Sequence, residues 1–147
     1  MIYLILKHSH SGLRWLVLLL LLIVVFNSFY KLIAKKSFQL IEREIALISM
    51  GITHIQVLVG LILYFLSPNV IFSASSMSND LQRFFLVEHV SLMILAAVSI
   101  TLGYGLSKRA STDRGKHLRL SLFYLLGLLL ILAAIPWPWM PYSAGWF

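Results

Sequence analysis

The chain has 147 residues, of which 60% are hydrophobic and only 12% charged, a balance outside the range of water-soluble globular domains. It carries a formal net charge of +7 and no cysteine, which excludes disulfides, thiolate zinc sites, iron–sulfur clusters and thioether-attached haem. A span of the hydrocarbon core takes about 20 apolar residues, so four spans would occupy nearly the whole chain as a single transmembrane domain, 1–147.

The first apolar run is expected to span about residues 11–33. It continues from Leu13 to Phe26, with Arg14 its one charge and no A-x-A-like cleavage site, too long for an h-region, so it should stay as a span rather than leave as a signal peptide. His8, His10 and Arg14 lie at its start. Lys31, Lys35, Lys36 and Arg43 separate it from the second expected span, about 45–66, which holds Thr53, His54 and Gln56. The stretch from Ser67 to Gln82 has Asp80 and neither Lys nor Arg. The third expected span, about 84–106, opens with Glu88 and His89 and carries Ala96 and Ala97 deeper in. Lys108, Arg109, Arg114, Lys116 and Arg119 surround the start of the fourth, about 118–136.

Each run should be a helix, because lipid supplies no partner for backbone amides and the runs lack the short alternation of barrel strands. The expected fold is all-α, an integral membrane four-helix bundle. Both cationic connections belong on the cytoplasmic side by the positive-inside rule, giving an N-out/C-out topology with Lys35 and Lys116 inside and Ser75 and Gly145 outside. Cations placed beside apolar spans point to the lipid bilayer as the partner, not to nucleic acid. The tail Pro136-Trp137-Pro138-Trp139-Met140-Pro141-Tyr142 ends the last helix and sets indole rings at the outer interface as anchors.

Five histidines carry the chemistry: His8, His10, His54, His89 and His117. His10 lies 21 residues before Lys31, and His89 lies 19 before Lys108. At about 1.5 Å per residue each is about 30 Å from the cytoplasmic markers, so the two sit at one depth near the outer surface. Two imidazoles at one depth on facing helices are what axial ligation of haem iron requires, which makes His10 and His89 the expected metal ligands. Arg14, at i+4 from His10, is placed to hold a propionate, with Lys7 and Arg83 at the same level. Ser11, Gly12, Ala96 and Ala97 are small enough to admit a flat macrocycle or a neighbouring helix. Glu88 reads first as an ion-pair partner of Arg14 or Arg83 and second as a proton-handling carboxylate.

His54 falls near the midplane, about 15 Å from Glu44, and stands alone there. Three roles are open to it: a bond to a neighbouring helix, contact with a quinone headgroup, or ligation of a differently placed haem. His117, beside Lys116 and Arg119, is expected as a solvated or headgroup-facing ring. His8 is two residues from His10 and faces elsewhere. The depths of His54 and His117 do not match, so one haem is expected rather than two.

With these residues in place, the chain resembles the small four-helix membrane cytochrome b-like proteins of bacteria. The resemblance is carried by H-S-G-L-R-W at His10 to Trp15, T-H-I-Q-V-L-V-G-L at Thr53 to Leu61, and V-E-H at Val87 to His89. The first three spans also resemble one half of a haem A synthase, with His10 and His89 at the ligand positions and Gln56 and Gly60 in the Q-x-x-x-G connector. A full synthase has two such halves, and the E-x-x-x-R arrangement of its catalytic half is missing here. The resemblance therefore implies haem binding and not oxidation of a haem methyl group.

The expected function is that of a haem b-binding electron-transfer protein, or a redox subunit of a respiratory complex with other membrane subunits, in a bacterial cytoplasmic (inner) membrane. An alternative is a haem-modifying or quinone-using oxidoreductase working through Glu88 and His54. Another is a cofactor-free accessory or assembly subunit whose histidines serve helix packing.

Overall fold

A computed structural model describes residues 1–140, so Pro141, Tyr142 and Gly145 of the tail lie outside the described residues. Four helices are each long and apolar enough to cross a membrane: α1 Ile2–Ile33, α2 Leu40–Leu66, α3 Asp80–Lys108 and α4 Asp113–Ala134. A short 3₁₀ turn, Ala74–Ser78, precedes α3. No strand occurs among the described residues.

The helix ends follow local chemistry. α1 closes with Lys35 at φ 51 and the next amide returned to the helix, Lys36 N–H to the Lys31 carbonyl at 3.0 Å, a Schellman closure with a lysine in the left-handed position. α2 opens with a capping box in which Glu42 accepts the Gln39 amide, satisfying donors that would otherwise be orphaned. Asn79 and Thr112 cap α3 and α4 through their side-chain oxygens. Pro136 and Pro138 follow α4, and the Trp137 and Trp139 rings stack 5.1 Å apart.

Bounds differ from the sequence-based ones chiefly at α1, which starts at Ile2 rather than near residue 11. Lys7, His8 and His10 do not stop the helix, because Ile2 to Leu6 continue it and the polar groups at Lys7 and His10 lie on its inward stripe. Residues 3, 7, 10, 14, 17, 21, 24 and 28 recur at three- and four-residue spacing. Val17, Leu21, Val24 and Ser28 of this stripe are buried, as a helix packed along one face requires. Equivalent stripes run through Glu42, Ala46, Ser49, Thr53 and Gln56 on α2, Ala96, Ile100, Gly103 and Ser107 on α3, and His117, Leu120, Tyr124 and Ile131 on α4.

Side-chain contacts fix the helix directions. Lys31 meets Glu42 while Gln56 meets His10, so α1 and α2 run antiparallel. The same logic holds for α2 and α3, from His54 with Thr101 and Tyr64 with Leu86. It holds again for α3 and α4, from Ser107 with Lys116 and His89 with Ala134. α1 also packs on α4, which closes a ring of neighbours in chain order. α1 and α3 are thus parallel and diagonal, and their first turns lie at the same end. The cationic turns gather at the other.

The outward faces are apolar, with Phe26, Leu58, Val98 and Leu122 all exposed, while Ser28, Glu42, Gln56, Ser99, His117 and Ser121 are buried. Water-soluble proteins distribute these types the other way. Gly103 and Gly127 set the close approach of α3 and α4: a Cβ on Gly127 would lie 2.6 Å from Ile100 and 3.3 Å from the Ala96 carbonyl. Ala96 therefore serves helix packing, and Ala97 is buried beside it.

Candidate functional site

At the end opposite the cationic turns, the four helices part around a cleft of about 1280 Å³, counting the space at its mouth. His10 and Arg14 reach it from α1, Gln56 and Gly60 from α2, and His89 and Met93 from α3, with Ile131 closing it from α4. The imidazoles of His10 and His89 face each other across it with ring centroids 6.4 Å apart and planes inclined by 70°.

His89 owes its place to a local departure from α geometry. Phe84–Glu88 form a π-helical turn in which the His89 amide returns to the Phe84 carbonyl. One extra residue in the turn rotates everything that follows, and such turns recur at functional sites. The ring is then held by a 2.7 Å hydrogen bond between Nδ1 and the Ala134 carbonyl. A carbonyl can only accept, so Nδ1 carries the proton and donates it, and the lone pair is left on Nε2.

His10 is positioned by α2. The Gln56 amide donates to the His10 carbonyl at 2.8 Å, and Gly60 lies beneath the ring, where a Cβ would come within 3.0 Å of His10 Cε1. Both His10 Nδ1 and Gln56 Oε1 are buried without a hydrogen-bond partner, an arrangement that native interiors seldom tolerate. Gly12, expected beside His10 as the space-making glycine, instead looks into open space. Gly60 makes the room.

Arg14 lines the cleft with its guanidinium 5.2 Å from the Trp15 ring. Tyr3 and Lys7 extend the same helical stripe to the mouth, where Tyr64 donates its hydroxyl to the Leu86 carbonyl at 2.9 Å. Neither tyrosine stands out in the sequence as part of a site. The one signal for Tyr3 is its place on the three-four spacing of the α1 stripe, and Tyr64 has none. Glu88 is ion-paired with Arg83 at 2.8 Å, and Arg83 also reaches Asp80 at 2.9 Å.

His54 does not reach the cleft. Its Nε2 lies 3.0 Å from the Thr101 hydroxyl, which donates in turn to the Ala97 carbonyl at 2.7 Å. With that hydrogen committed, Thr101 accepts from His54, and the imidazole bonds a neighbouring helix rather than standing alone. His8 is exposed.

His117 is not the solvated ring that its cationic neighbours implied. It is 0% exposed, because Phe38 in the α1–α2 turn folds over it at 5.1 Å between ring centroids. Glu42, Lys31 and the backbone of Lys36 and Ser37 are its polar neighbours, yet neither ring nitrogen has a well-formed hydrogen bond.

Among the described residues no group of three or more His, Cys, Asp or Glu side chains gathers as a metal cluster. Comparison with models of protein families, with curated proteins and with solved structures gave no match.

Proposed function

We propose that the chain is an integral membrane four-helix bundle, N-out and C-out, that holds one haem b between His10 and His89 and works as an electron carrier or redox subunit. The observation that carries this reading is the pair of imidazoles offered by parallel, diagonal helices across one cleft. With a metal–nitrogen bond of about 2 Å, two rings on opposite sides of one iron stand about 6 Å apart between centroids, and the observed separation is 6.4 Å. Each imidazole would be free to turn about a bond from its nitrogen to a metal, so the 70° inclination of His10 and His89 would be compatible with holding the group. A pair of ligands suffices where a macrocycle fills the other positions, which is why no three-residue cluster is needed.

Further features of the cleft fit the group. His10 Nδ1 and Gln56 Oε1 are unpartnered polar atoms buried beside it, and Gly60 keeps clear the space that a Cβ would fill. Haem supplies one-electron chemistry when bound. The protein's part is to hold and tune it. The Ala134 carbonyl fixes the His89 tautomer and makes Nε2 a better donor to metal, a role usual for the outer partner of a ligating histidine. Arg14 and Lys7 bring cations to the cleft for the propionates.

The membrane placement rests on the apolar outer surface and on the gathering of Lys35, Lys36, Lys108 and Arg109 at one end. The bacterial inner membrane is taken from the resemblance to small cytochrome b-like proteins. A reduced-minus-oxidised optical spectrum of the purified protein, with a pyridine haemochrome assay, tests the cofactor. A Soret shift with one haem per chain is expected, and haem-free protein from haem-replete cells would leave the accessory-subunit reading. For topology, cysteines replacing Ser75, Lys35 and Lys116 should react with an impermeant maleimide in spheroplasts only at position 75. Labelling at 35 would invert the orientation.

A further inference from the structure

A second pocket, of about 680 Å³ counting its mouth, lies at the cationic end. Arg43 of α2, Lys108 of α3 and Lys116 of α4 converge on it from three helices, with Tyr104 and Ser107 beside them. We propose that this pocket binds a phosphate ester, that of an acidic phospholipid in the cytoplasmic leaflet; the leaflet assignment rests on the membrane orientation proposed above, and the haem does not enter.

Charge favours an anion here. The carboxylates paired with these cations are Glu44, 3.3 Å from Arg43, and Asp113, 3.6 Å from Lys116. Neither carboxylate lines the pocket, and a separation of 3.6 Å is too long for a hydrogen bond. Other cations are committed within the fold: Lys31 to buried Glu42, and Arg119 to the Leu106 carbonyl at 2.7 Å. The pocket therefore keeps an excess of positive charge with donors of both kinds, a planar guanidinium and point-like ammoniums, which together suit a phosphate.

The walls favour a lipid over a free ion. Beside the cations stands Leu40, 63% exposed, with the buried Ala46 and Leu120 forming the pocket's floor. A free anion has no use for apolar walls, whereas a glycerophospholipid presents a phosphate at headgroup level and acyl chains directly below it. Basic pockets between membrane helices on the cytoplasmic side take acidic headgroups for this reason.

The test reconstitutes the full chain in phosphatidylcholine nanodiscs containing a minority of phosphatidylglycerol, then counts lipid retained in neutral detergent by native mass spectrometry. Phosphatidylglycerol should be retained in preference to phosphatidylcholine. Lys108→Gln and Lys116→Gln should each weaken that retention about fivefold, the effect of one cation near the surface. Arg109→Gln and Arg114→Gln, at the same end but outside the pocket, should leave it unchanged. Inorganic phosphate should fail to displace the lipid; displacement would overturn the lipid and assign the pocket to a free phosphate ester. Equal retention of the two lipids, or equal loss in the Arg109 and Arg114 variants, overturns the site. Circular dichroism of each variant separates loss of the pocket from loss of fold. The haem spectrum is read on the same samples, so failure of the haem proposal would be seen independently.

Discussion

Glu42 and His117, buried at the cationic end, are enclosed, whereas His10 and His89 at the opposite end border a cleft. Glu42, with a side chain only 2% exposed, pairs with Lys31 and accepts the Gln39 amide, and His117 is sealed beneath Phe38. At the other end His10, Gln56 and His89 occupy the same inward stripes, yet the helices there leave space. Position on the stripe thus does not separate a structural polar group from a functional one. Partnering alone does not either, since the ring nitrogens of His117 lack hydrogen bonds as His10 Nδ1 does. Room beside the group is what differs: a ligand needs a volume to occupy, and the cleft offers one in front of His10 and His89, whereas the pocket at the cationic end is not lined by His117.

The largest effect should come from removing a ligand. On the proposed haem reading, His10→Ala and His89→Ala are each expected to abolish the low-spin haem spectrum, because a haem held by the two imidazoles would lose one of them. His117→Ala and His54→Ala should leave it in place. Spectra of the four variants at matched protein concentration check this, and a His54→Ala protein without haem would mean that the cleft has been assigned to the wrong histidines.

The enclosed end should respond in stability instead. Lys31→Met strands the Glu42 carboxylate inside the protein, which costs about 3–5 kcal/mol for a buried pair broken on one side. Replacing both, Lys31→Met with Glu42→Leu, should restore most of the loss, because the surviving charge is gone too. Thermal unfolding in detergent measures both, and the folded fraction of each variant should keep its haem spectrum. Equal stability of Lys31→Met and wild type would show that the pair is not enclosed in the membrane-embedded protein.

An intermediate effect is expected at Gly60. Alanine there would place Cβ 3.0 Å from His10 Cε1, so the ring must shift by a few tenths of an ångström, whereas Gly51 on the same helix has open space around it. Gly60→Ala should weaken haem retention severalfold and Gly51→Ala should not. Both changes favour the helix itself by up to about 1 kcal/mol, so loss of haem at Gly60 cannot be ascribed to a weaker α2. Haem transfer to apomyoglobin gives the comparison, and equal rates in the two variants would remove Gly60 from the site.

How much of this was readable beforehand depends on which coordinate is asked for. Depth is a count along a helix, so the matched level of His10 and His89 follows from their distances to Lys31 and Lys108. Azimuth is harder. The π turn at Phe84–Glu88 rotates α3 relative to an ideal helix, and nothing in Phe-Phe-Leu-Val-Glu announces it. Contacts brought by loops were beyond reach as well: Phe38 belongs to a turn, and its closure over His117 follows from tertiary packing rather than from the cationic neighbours of His117. Glu42 was hidden for a related reason, since its capping role and its pairing with Lys31 emerge only when the α1–α2 turn is built. Gly12 and Gly60 are equally glycine in the sequence, and only the crossing of α1 and α2 tells which one faces the imidazole.

The smallest and most specific test concerns Arg14, which lines the cleft without being an axial ligand. A cation beside the macrocycle interacts unfavourably with the more positive oxidised iron and so favours the reduced state. Arg14→Gln should therefore lower the midpoint potential while leaving both axial bonds and the low-spin spectrum intact. Lys36→Gln is the control: it also removes one cation, but from an exposed position at the opposite end, where distance and solvent screening should leave the potential nearly unchanged. Potentiometric titration of the α-band in wild type and both variants reads the difference. A shift common to both variants would mean that net charge rather than the cleft sets the potential, and no shift in Arg14→Gln would place its guanidinium away from the bound group.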